Sequence, residues 1–286
     1  MPDVSTKPDA NPKQMHVRFW GVRGSIPTPR ATHLGIGGNT ACVEVRLSDS
    51  SACILDLGTG ARELGRRLVE ESEGEPLDLH VFLSHFHWDH IQAVPFFAPL
   101  FENGNCVSFY GSDAEGEPLD LLAEQMRVPF FPLSFNELVA ETRQFVLQEG
   151  EQVRIGSLFV TPFPVHHTQF VFGYKVEAHG TSVVFCTDYE HGNVGLDALL
   201  TEMADGADLL ICDAQYTPEE YAHCTGWGHT TWKHAAQLAA DANVKRLALF
   251  HHDPAHDDEQ LTEILSAAQA VFPNTVLATE GETMVC

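Results

Sequence analysis

The sequence is poor in basic residues: its 286 positions hold 16 lysines and arginines against 40 aspartates and glutamates, a formal net charge of −24. Binding to nucleic-acid phosphates relies on clustered lysine and arginine, so this balance argues against a long nucleic acid as partner. A small anionic substrate remains compatible with it, because bound metal ions can reverse the local sign of the charge.

The sequence also lacks a long apolar run and a CxxC pair. A bilayer-spanning helix needs about 20 consecutive apolar residues, so we expect no membrane association. The start of the chain is polar and contains proline, unlike a secretory signal, and we expect residues 1–15 to form a flexible lead-in and the protein to be cytoplasmic. The seven cysteines then predict free thiols rather than disulfides.

Strand-like and helix-like segments alternate along the rest of the chain. Apolar runs such as 79–85 and 207–215 predict buried strands, and the spacing in 61–71 and 258–272 predicts helices. Many strands with interspersed helices fit a layered α/β fold. We expect a single domain over residues 16–286.

Histidine is abundant, with 16 residues, and histidines or aspartates cluster after four apolar runs. These clusters read SHFHWDH, PVHHTQF, FCTDYEH and LFHHDP. Imidazole and carboxylate are ligands for zinc, manganese or iron, and loops at strand ends commonly carry function. One cluster alone could be a helix cap or a solvated loop, but four together favour a site for two metals that share a carboxylate.

Residues 85–90 match the HxHxDH signature of the metallo-β-lactamase superfamily at every defining position, directly after an apolar strand. The later ligand motifs also follow in the expected order, so the chain resembles this superfamily from about His16 to its end. The resemblance implies an αββα four-layer sandwich. It also implies that His85 and His87 hold one metal, while Asp89 and His90 hold the second.

The third histidine of the first metal has two candidates, His166 and His167. In phosphodiesterase-like members of the superfamily this ligand lies six residues before a Gly-aromatic pair. Gly173-Tyr174 is that pair here, which favours His167 as the ligand and leaves His166 as a residue that lines the site and binds substrate.

The resemblance also assigns the remaining ligands. Asp188, an acidic residue at a strand end, is expected to bridge the two metals. The final ligand is His251 or His252, and the first histidine after the apolar run is the usual match, which favours His251.

The segment 226–252 resembles the branch of the superfamily that contains ribonuclease Z and phosphodiesterases. His229 corresponds to the non-ligand histidine of that branch, which is expected to contact the phosphoryl oxygen and to protonate the leaving alkoxide. Asp213 corresponds to the acidic residue that orients it, although ribonuclease Z has a glutamate there. The alternative is that His229 caps a helix or binds a backbone group.

The loop between the first two strands resembles bacterial phosphodiesterase-type members as well. By this resemblance its glycines would let the backbone approach the metal site, and Asn39 and Arg23 are candidates for a position near the substrate. For Arg23 a structural turn is the favoured role. The aromatic segment 127–138 is predicted to be core or a subunit contact rather than a lid, and Trp88 either lines the pocket or packs beneath it.

These inferences combine into a dinuclear metal-dependent hydrolase. We expect two divalent ions, with zinc favoured over manganese or iron, and a bridging hydroxide that attacks a small cyclic phosphodiester, with Asp89 holding its proton. The substrate would be a cyclic nucleotide or a phosphoribosyl 1,2-cyclic phosphate, and homodimers are common in this branch. The alternatives are a lactone or thioester hydrolase of the same fold and a metal-dependent nucleotide-binding protein without turnover.

Overall fold

The computed structural model describes residues 14–286, which form two seven-stranded mixed sheets. The strands of the first sheet are β1 (Met15–Gly21), β2 (Cys42–Leu47), β3 (Ala52–Leu55), β4 (Asp78–Phe82), β5 (Cys106–Gly111), β6 (Glu141–Val146) and β14 (Thr283–Val285). The strands of the second are β7 (Val153–Ile155), β8 (Leu158–Val165), β9 (Val171–Ala178), β10 (Thr181–Cys186), β11 (Leu209–Asp213), β12 (Leu247–Phe250) and β13 (Thr275–Leu277).

Each sheet is a simple series of neighbours along the chain, apart from the last strand. The first has the order β14-β1-β2-β3-β4-β5-β6 and the second the order β13-β12-β11-β10-β9-β8-β7. Of the lead-in expected for residues 1–15, residues 1–13 lie outside the described part of the chain. Met15 belongs to β1 and is fully buried.

Seven α-helices cover the sheets within the described chain. They are α1 (Ala61–Glu71), α2 (Trp88–Ile91), α3 (Pro118–Gln125), α4 (Val194–Ala204), α5 (Pro218–Cys224), α6 (Trp232–Asp241) and α7 (Asp258–Val271). Three 3₁₀ turns lie at 94–96, 98–101 and 135–137. No helix of residues 14–286 has the length and apolar character needed to span a membrane.

Three buried apolar clusters define the layers. The central one joins side chains of both sheets, such as Phe82 and Phe250, and therefore lies between them. A second packs α1 and α3 onto the outer face of the first sheet through Leu64 and Leu122. A third packs α4, α6 and α7 onto the second sheet. The expected αββα four-layer sandwich is confirmed.

Local pattern predicted some elements better than others. The helix predicted for 61–71 has those bounds in the structure, whereas the sequence analysis assigned no strand to β5 or β6 and no helix to α4. β6 reads ETRQFV and is mostly exposed at the edge of its sheet. Its pairing with β5 holds it in place, and a local sequence pattern does not reveal such pairing.

The topology brings several strand ends to one edge of the sandwich. β3, β4 and β5 are parallel in the first sheet, as are β10, β11 and β12 in the second. β8 and β10 are both antiparallel to β9, so β8 ends at the same edge as β10. In α/β folds the carboxyl ends of the strands carry the ligand sites, and all four histidine-containing clusters follow such ends.

Candidate metal centre

One group of ligand atoms comes from the ends of β4, β8 and β10. His85 Nε2 lies 2.9 Å from His87 Nδ1, which lies 3.4 Å from His167 Nε2. Asp188 Oδ1 completes the group at 3.7 Å from His85 Nε2 and 3.8 Å from His167 Nε2. Four donor atoms therefore surround one point, and these residues could hold a metal ion.

A second group lies on the other side of the same aspartate. Asp188 Oδ2 is 3.0 Å from His90 Nε2 and 3.3 Å from His251 Nε2. Asp89 Oδ2 is 3.3 Å from His90 Nε2 and 3.2 Å from His251 Nε2. Asp188 thus directs one carboxylate oxygen to each group, which is the geometry of a bridging ligand.

The donor atoms fit a divalent metal pair in spacing and in chemistry. Zinc–nitrogen bonds of 2.0–2.1 Å in a tetrahedral site put the donors about 3.3 Å apart, and the separations above range from 2.9 to 3.8 Å. His90 Nε2 is fully buried and makes no hydrogen bond to any described residue, although Asp188 Oδ2 is only 3.0 Å away. A buried nitrogen that lacks a hydrogen-bond partner is expected where a metal is the missing partner.

The charges of the site also favour cations. Burial lowers the pKa of His85, His87 and His167, which keeps their imidazoles neutral and able to ligate. Burial raises the pKa of the Asp188 carboxyl, but the neighbouring His251 and His90 outweigh burial and hold that pKa well below its usual range. The bridging position is therefore ionised.

The backbone is strained where two ligands leave their strands. Asp188 follows β10 with φ of 52° and His251 follows β12 with φ of 57°. Left-handed conformations are uncommon for residues other than glycine and cluster at functional sites. Here they end each strand abruptly and turn its ligand toward the other sheet.

Residues outside the two groups orient the ligands on the side of β4. The buried Asp56 accepts hydrogen bonds from Ser84 N (2.7 Å) and Ser84 Oγ (2.8 Å), and its Oδ2 lies 2.8 Å from His90 Nδ1. This fixes the His90 ring so that Nε2 faces the metal position. Asp56 was not among the predicted site residues, although this aspartate ends the apolar run CILD as Asp188 ends VVFCTD.

Other contacts orient the ligands that come from the second sheet. His251 Nδ1 lies 2.9 Å from Gln215 Oε1, and His167 Nδ1 lies 2.6 Å from the Gly228 carbonyl. In each ring the Nδ1 proton is donated, which leaves Nε2 as the ligand atom. No sequence signal marks Gln215 or Gly228, because their roles depend on contacts between distant loops.

His229 lies beside the ligands with its Nδ1 engaged by Asp213 Oδ2 at 2.8 Å. It is close enough to Asp188 and His251 to form a third possible group with them. However, Nδ1 is the atom that lies 3.9 Å from Asp188, and Asp213 already occupies it, so we treat His229 as a non-ligand. Burial lowers its pKa, but the Asp213 carboxylate outweighs burial and raises the pKa to about 9.

Several residues that the sequence suggested as ligands or substrate-binding residues form hydrogen bonds outside the two metal groups. His252 Nε2 is 3.0 Å from the Ala278 carbonyl, and His166 Nδ1 is 3.0 Å from the Glu190 carbonyl. The side chain of Asn39 donates to Glu280 Oε1 at 2.5 Å. Substrate binding by Asn39 and His166 therefore stays a prediction.

The fully buried Arg23 binds backbone carbonyls, including those of Gly37 (2.7 Å) and His256 (2.6 Å), so it joins two loops as the structural interpretation expected. Trp88 is 74% exposed and does not pack beneath the site. In the aromatic segment Phe135 is core, whereas Phe130 is exposed.

Comparisons with known proteins agree with the fold. The family model described as beta-lactamase superfamily domain matches residues 53–252. A ribonuclease Z from a Synechococcus strain is 26% identical, with 92% of this chain and 96% of the relative covered. The metallo-beta-lactamase fold protein YhfI from Bacillus subtilis has a TM-score of 0.71 at 19% identity, covering 96% of this chain and all of that one. A diphosphatase from the PhnP family has a TM-score of 0.67 at 18% identity, covering 96% and 97%.

The four-layer fold and the two histidine–aspartate groups define a metal-dependent hydrolase. The chain belongs to the beta-lactamase superfamily, whose domain model covers all but the first strands and the last helix and strands.

Proposed function

We propose that this protein is a phosphodiesterase that uses two divalent metal ions to cleave a small cyclic phosphodiester, either a cyclic nucleotide or a phosphoribosyl 1,2-cyclic phosphate. The observation that carries the proposal is the pair of His229 and Asp213, joined at 2.8 Å beside the bridging Asp188. The ligand groups alone would serve an ester as well as a phosphodiester. A proton donor beside the metals is needed most where the leaving group is an alkoxide.

We propose zinc as the metal, with manganese or iron as alternatives. The two ions would lower the pKa of a water nucleophile and stabilise negative charge on a phosphoryl oxygen. His85, His87, His167 and Asp188 would hold one ion, and Asp89, His90, His251 and Asp188 the other. Asp89 Oδ2 also accepts a hydrogen bond from the Ser25 backbone N–H at 2.7 Å, which fixes the carboxylate. In this position Asp89 can accept the proton of the attacking water.

His229 would act on the leaving group. Asp213 Oδ2 engages Nδ1, so Nε2 is the nitrogen left to face the substrate. Asp213 Oδ1 is itself held by the backbone N–H groups of Thr230 and Gln215, both at 3.1 Å. The imidazolium is stabilised by this carboxylate and gives its Nε2 proton to the departing oxygen. Asp213 does not exchange that proton; it holds the ring and the tautomer.

A second candidate substrate is RNA, because the relative described above is named a ribonuclease Z. The net charge of −24 disfavours it, since an RNA-binding surface requires clustered basic side chains. We therefore favour the small substrate, whose charge the metal pair alone can neutralise.

A substrate screen with metal-loaded protein tests the proposal. Protein loaded separately with zinc, manganese or iron is assayed on a cyclic nucleotide, the phosphoribosyl cyclic phosphate, a precursor tRNA, a lactone and a thioester. We expect turnover of a cyclic phosphodiester that His229→Ala strongly reduces. Faster cleavage of the lactone or thioester, unaffected by His229→Ala, would contradict the proposal, and nucleotide binding without turnover would indicate a binding protein.

A further inference from the structure

Glu190 is a buried carboxylate two residues beyond the bridging Asp188, and it is only 4% exposed. Oε1 accepts hydrogen bonds from Gly226 N (2.6 Å) and the Tyr221 hydroxyl (2.9 Å), and Oε2 accepts one from Gly228 N (2.8 Å). Both carboxylate oxygens of Glu190 are thus hydrogen-bonded to the segment that leads to His229.

The same residue is fixed to the loop that carries His167. The Glu190 backbone N–H donates to the His166 carbonyl at 2.7 Å, and His166 Nδ1 lies 3.0 Å from the Glu190 carbonyl. Three separate loops, those of His167, Asp188 and His229, therefore meet at Glu190. Two of them carry ligand residues and the third carries the proton donor.

The loop that Glu190 binds is also held by His167 Nδ1, which lies 2.6 Å from the Gly228 carbonyl, and by the Trp227 N–H, which donates to the Cys224 carbonyl at 3.0 Å. Gly226 and Gly228 have φ of 87° and 91°, values that glycine adopts freely. Gly228 also approaches His167 so closely that a Cβ there would lie 2.2 Å from His167 Nδ1. Two glycines thus precede His229, and the Glu190 carboxylate accepts a hydrogen bond from the N–H of each.

We propose that Glu190 is a positioning residue that sets the location of His229 relative to Asp188 through the 226–229 loop. The proposal rests on the proposed function, in which His229 protonates the leaving oxygen. Glu190 contacts neither ligand atoms nor the reacting centre, and the Gly228 carbonyl remains the partner of His167, so we expect its loss to impair the step that needs His229 more than metal binding. A residue that merely stabilises the fold would affect all substrates alike.

The kinetic test compares Glu190→Gln with Asp258→Asn. The amide keeps the size of the side chain but replaces one of the two acceptor oxygens by a donor. Asp258 is a matched control, because it accepts backbone N–H bonds from Gly35 (2.8 Å) and Ile36 (3.1 Å) in a loop that lacks metal ligands. Both variants are assayed on a cyclic nucleotide and on bis(p-nitrophenyl) phosphate, whose aryloxide leaves without protonation.

We expect Glu190→Gln to lower kcat for the cyclic nucleotide by about 10- to 100-fold, with full metal content, KM within about twofold and little change on the aryl substrate. Asp258→Asn should leave both rates within about twofold. The double variant with His229→Ala should be no slower than His229→Ala alone. Equal losses on both substrates, or loss of metal, would overturn the positioning role.

A spectroscopic arm separates this proposal from the proposed function. The imidazole Nδ1 proton of His229, shared with Asp213, is followed by NMR in metal-free protein, assigned by its disappearance in His229→Ala. Glu190→Gln should broaden or shift this resonance, whereas Asp258→Asn should not. An unchanged resonance refutes the positioning role whatever the substrate, and a changed resonance with no phosphodiester turnover by the wild type refutes only the proposed function.

Discussion

The two halves of the proposed metal centre are built in different ways. His85, His87, Asp89 and His90 lie within six residues at the end of one strand, and the short helix α2 places two of them. His167, Asp188 and His251 come from the ends of three strands of the other sheet. The contiguous half is held by the local chain, Asp56 and the Ser25 backbone, whereas the dispersed half depends on contacts between loops, from Gln215 and Gly228.

The two halves differ in how much their geometry depends on the rest of the fold. A contiguous motif keeps its ligands together whenever its strand and turn form. The dispersed ligands reach the same point only when the second sheet, its strand order and its loops are all in place. Asp188 belongs to the dispersed half but serves both metal positions, so the centre as a whole depends on that half.

The largest effect is expected from Asp188→Asn. One oxygen of the bridge becomes an amide nitrogen, which is a poor ligand and carries no charge to offset the cations. We expect loss of metal and a fall of phosphodiester cleavage to the level of metal-free protein. Metal analysis and the assay measure this, with the exposed Asp205→Asn as control. Full activity of Asp188→Asn would refute the bridging role.

A smaller effect is expected from His229→Ala, which leaves both ligand groups intact. The metal content should equal that of the wild type, while cleavage of a cyclic nucleotide should fall by about 10²- to 10⁴-fold, because the leaving alkoxide is no longer protonated. An aryl phosphodiester should be much less affected. If the metal content falls as well, His229 is a ligand and the non-ligand assignment is wrong.

Gly24→Ala tests the packing around the dispersed half. A Cβ at Gly24 would lie 2.4 Å from His251 Nδ1 and 2.8 Å from Gln215 Oε1. The ring must move, so we expect the second ion to bind about 10- to 100-fold more weakly, as measured by competition with a chelator. Gly195→Ala is the control, because its nearest neighbour would be 3.7 Å away. Equal metal affinity in both variants would show that the His251 ring is free to adjust.

The smallest effect is expected from Trp88→Ala, within the contiguous motif itself. Trp88 is largely exposed, and exposed substitutions usually change the free energy of unfolding by less than about 0.5 kcal/mol. Metal content should also be unchanged. Thermal unfolding and metal analysis check this. A loss of metal would mean that the contiguous half needs more than its four ligands and Asp56.

Most residues of the candidate site could be predicted from the sequence, for identifiable reasons. The HxHxDH motif follows an apolar strand, and strand-end aspartates such as Asp188 and Asp213 stand out for the same reason. Asp56 carries the same signal and could have been found. Gln215, Ser25 and Glu190 could not, because a polar residue in a loop has no periodicity that marks it.

The sequence by itself determined the chemistry of the ligands, the order of the motifs and the layered α/β class, because periodicity and composition act over a few residues. The resemblance favoured one of two adjacent histidines at two strand ends, but only the tertiary structure explains why that histidine turns inward. His167 and His252 follow His166 and His251 directly, yet His167 and His251 face the metal groups, while His166 and His252 bind backbone carbonyls. The direction of each side chain depends on the backbone conformation at the strand end, such as the left-handed turn at His251, and on the carbonyl it meets there.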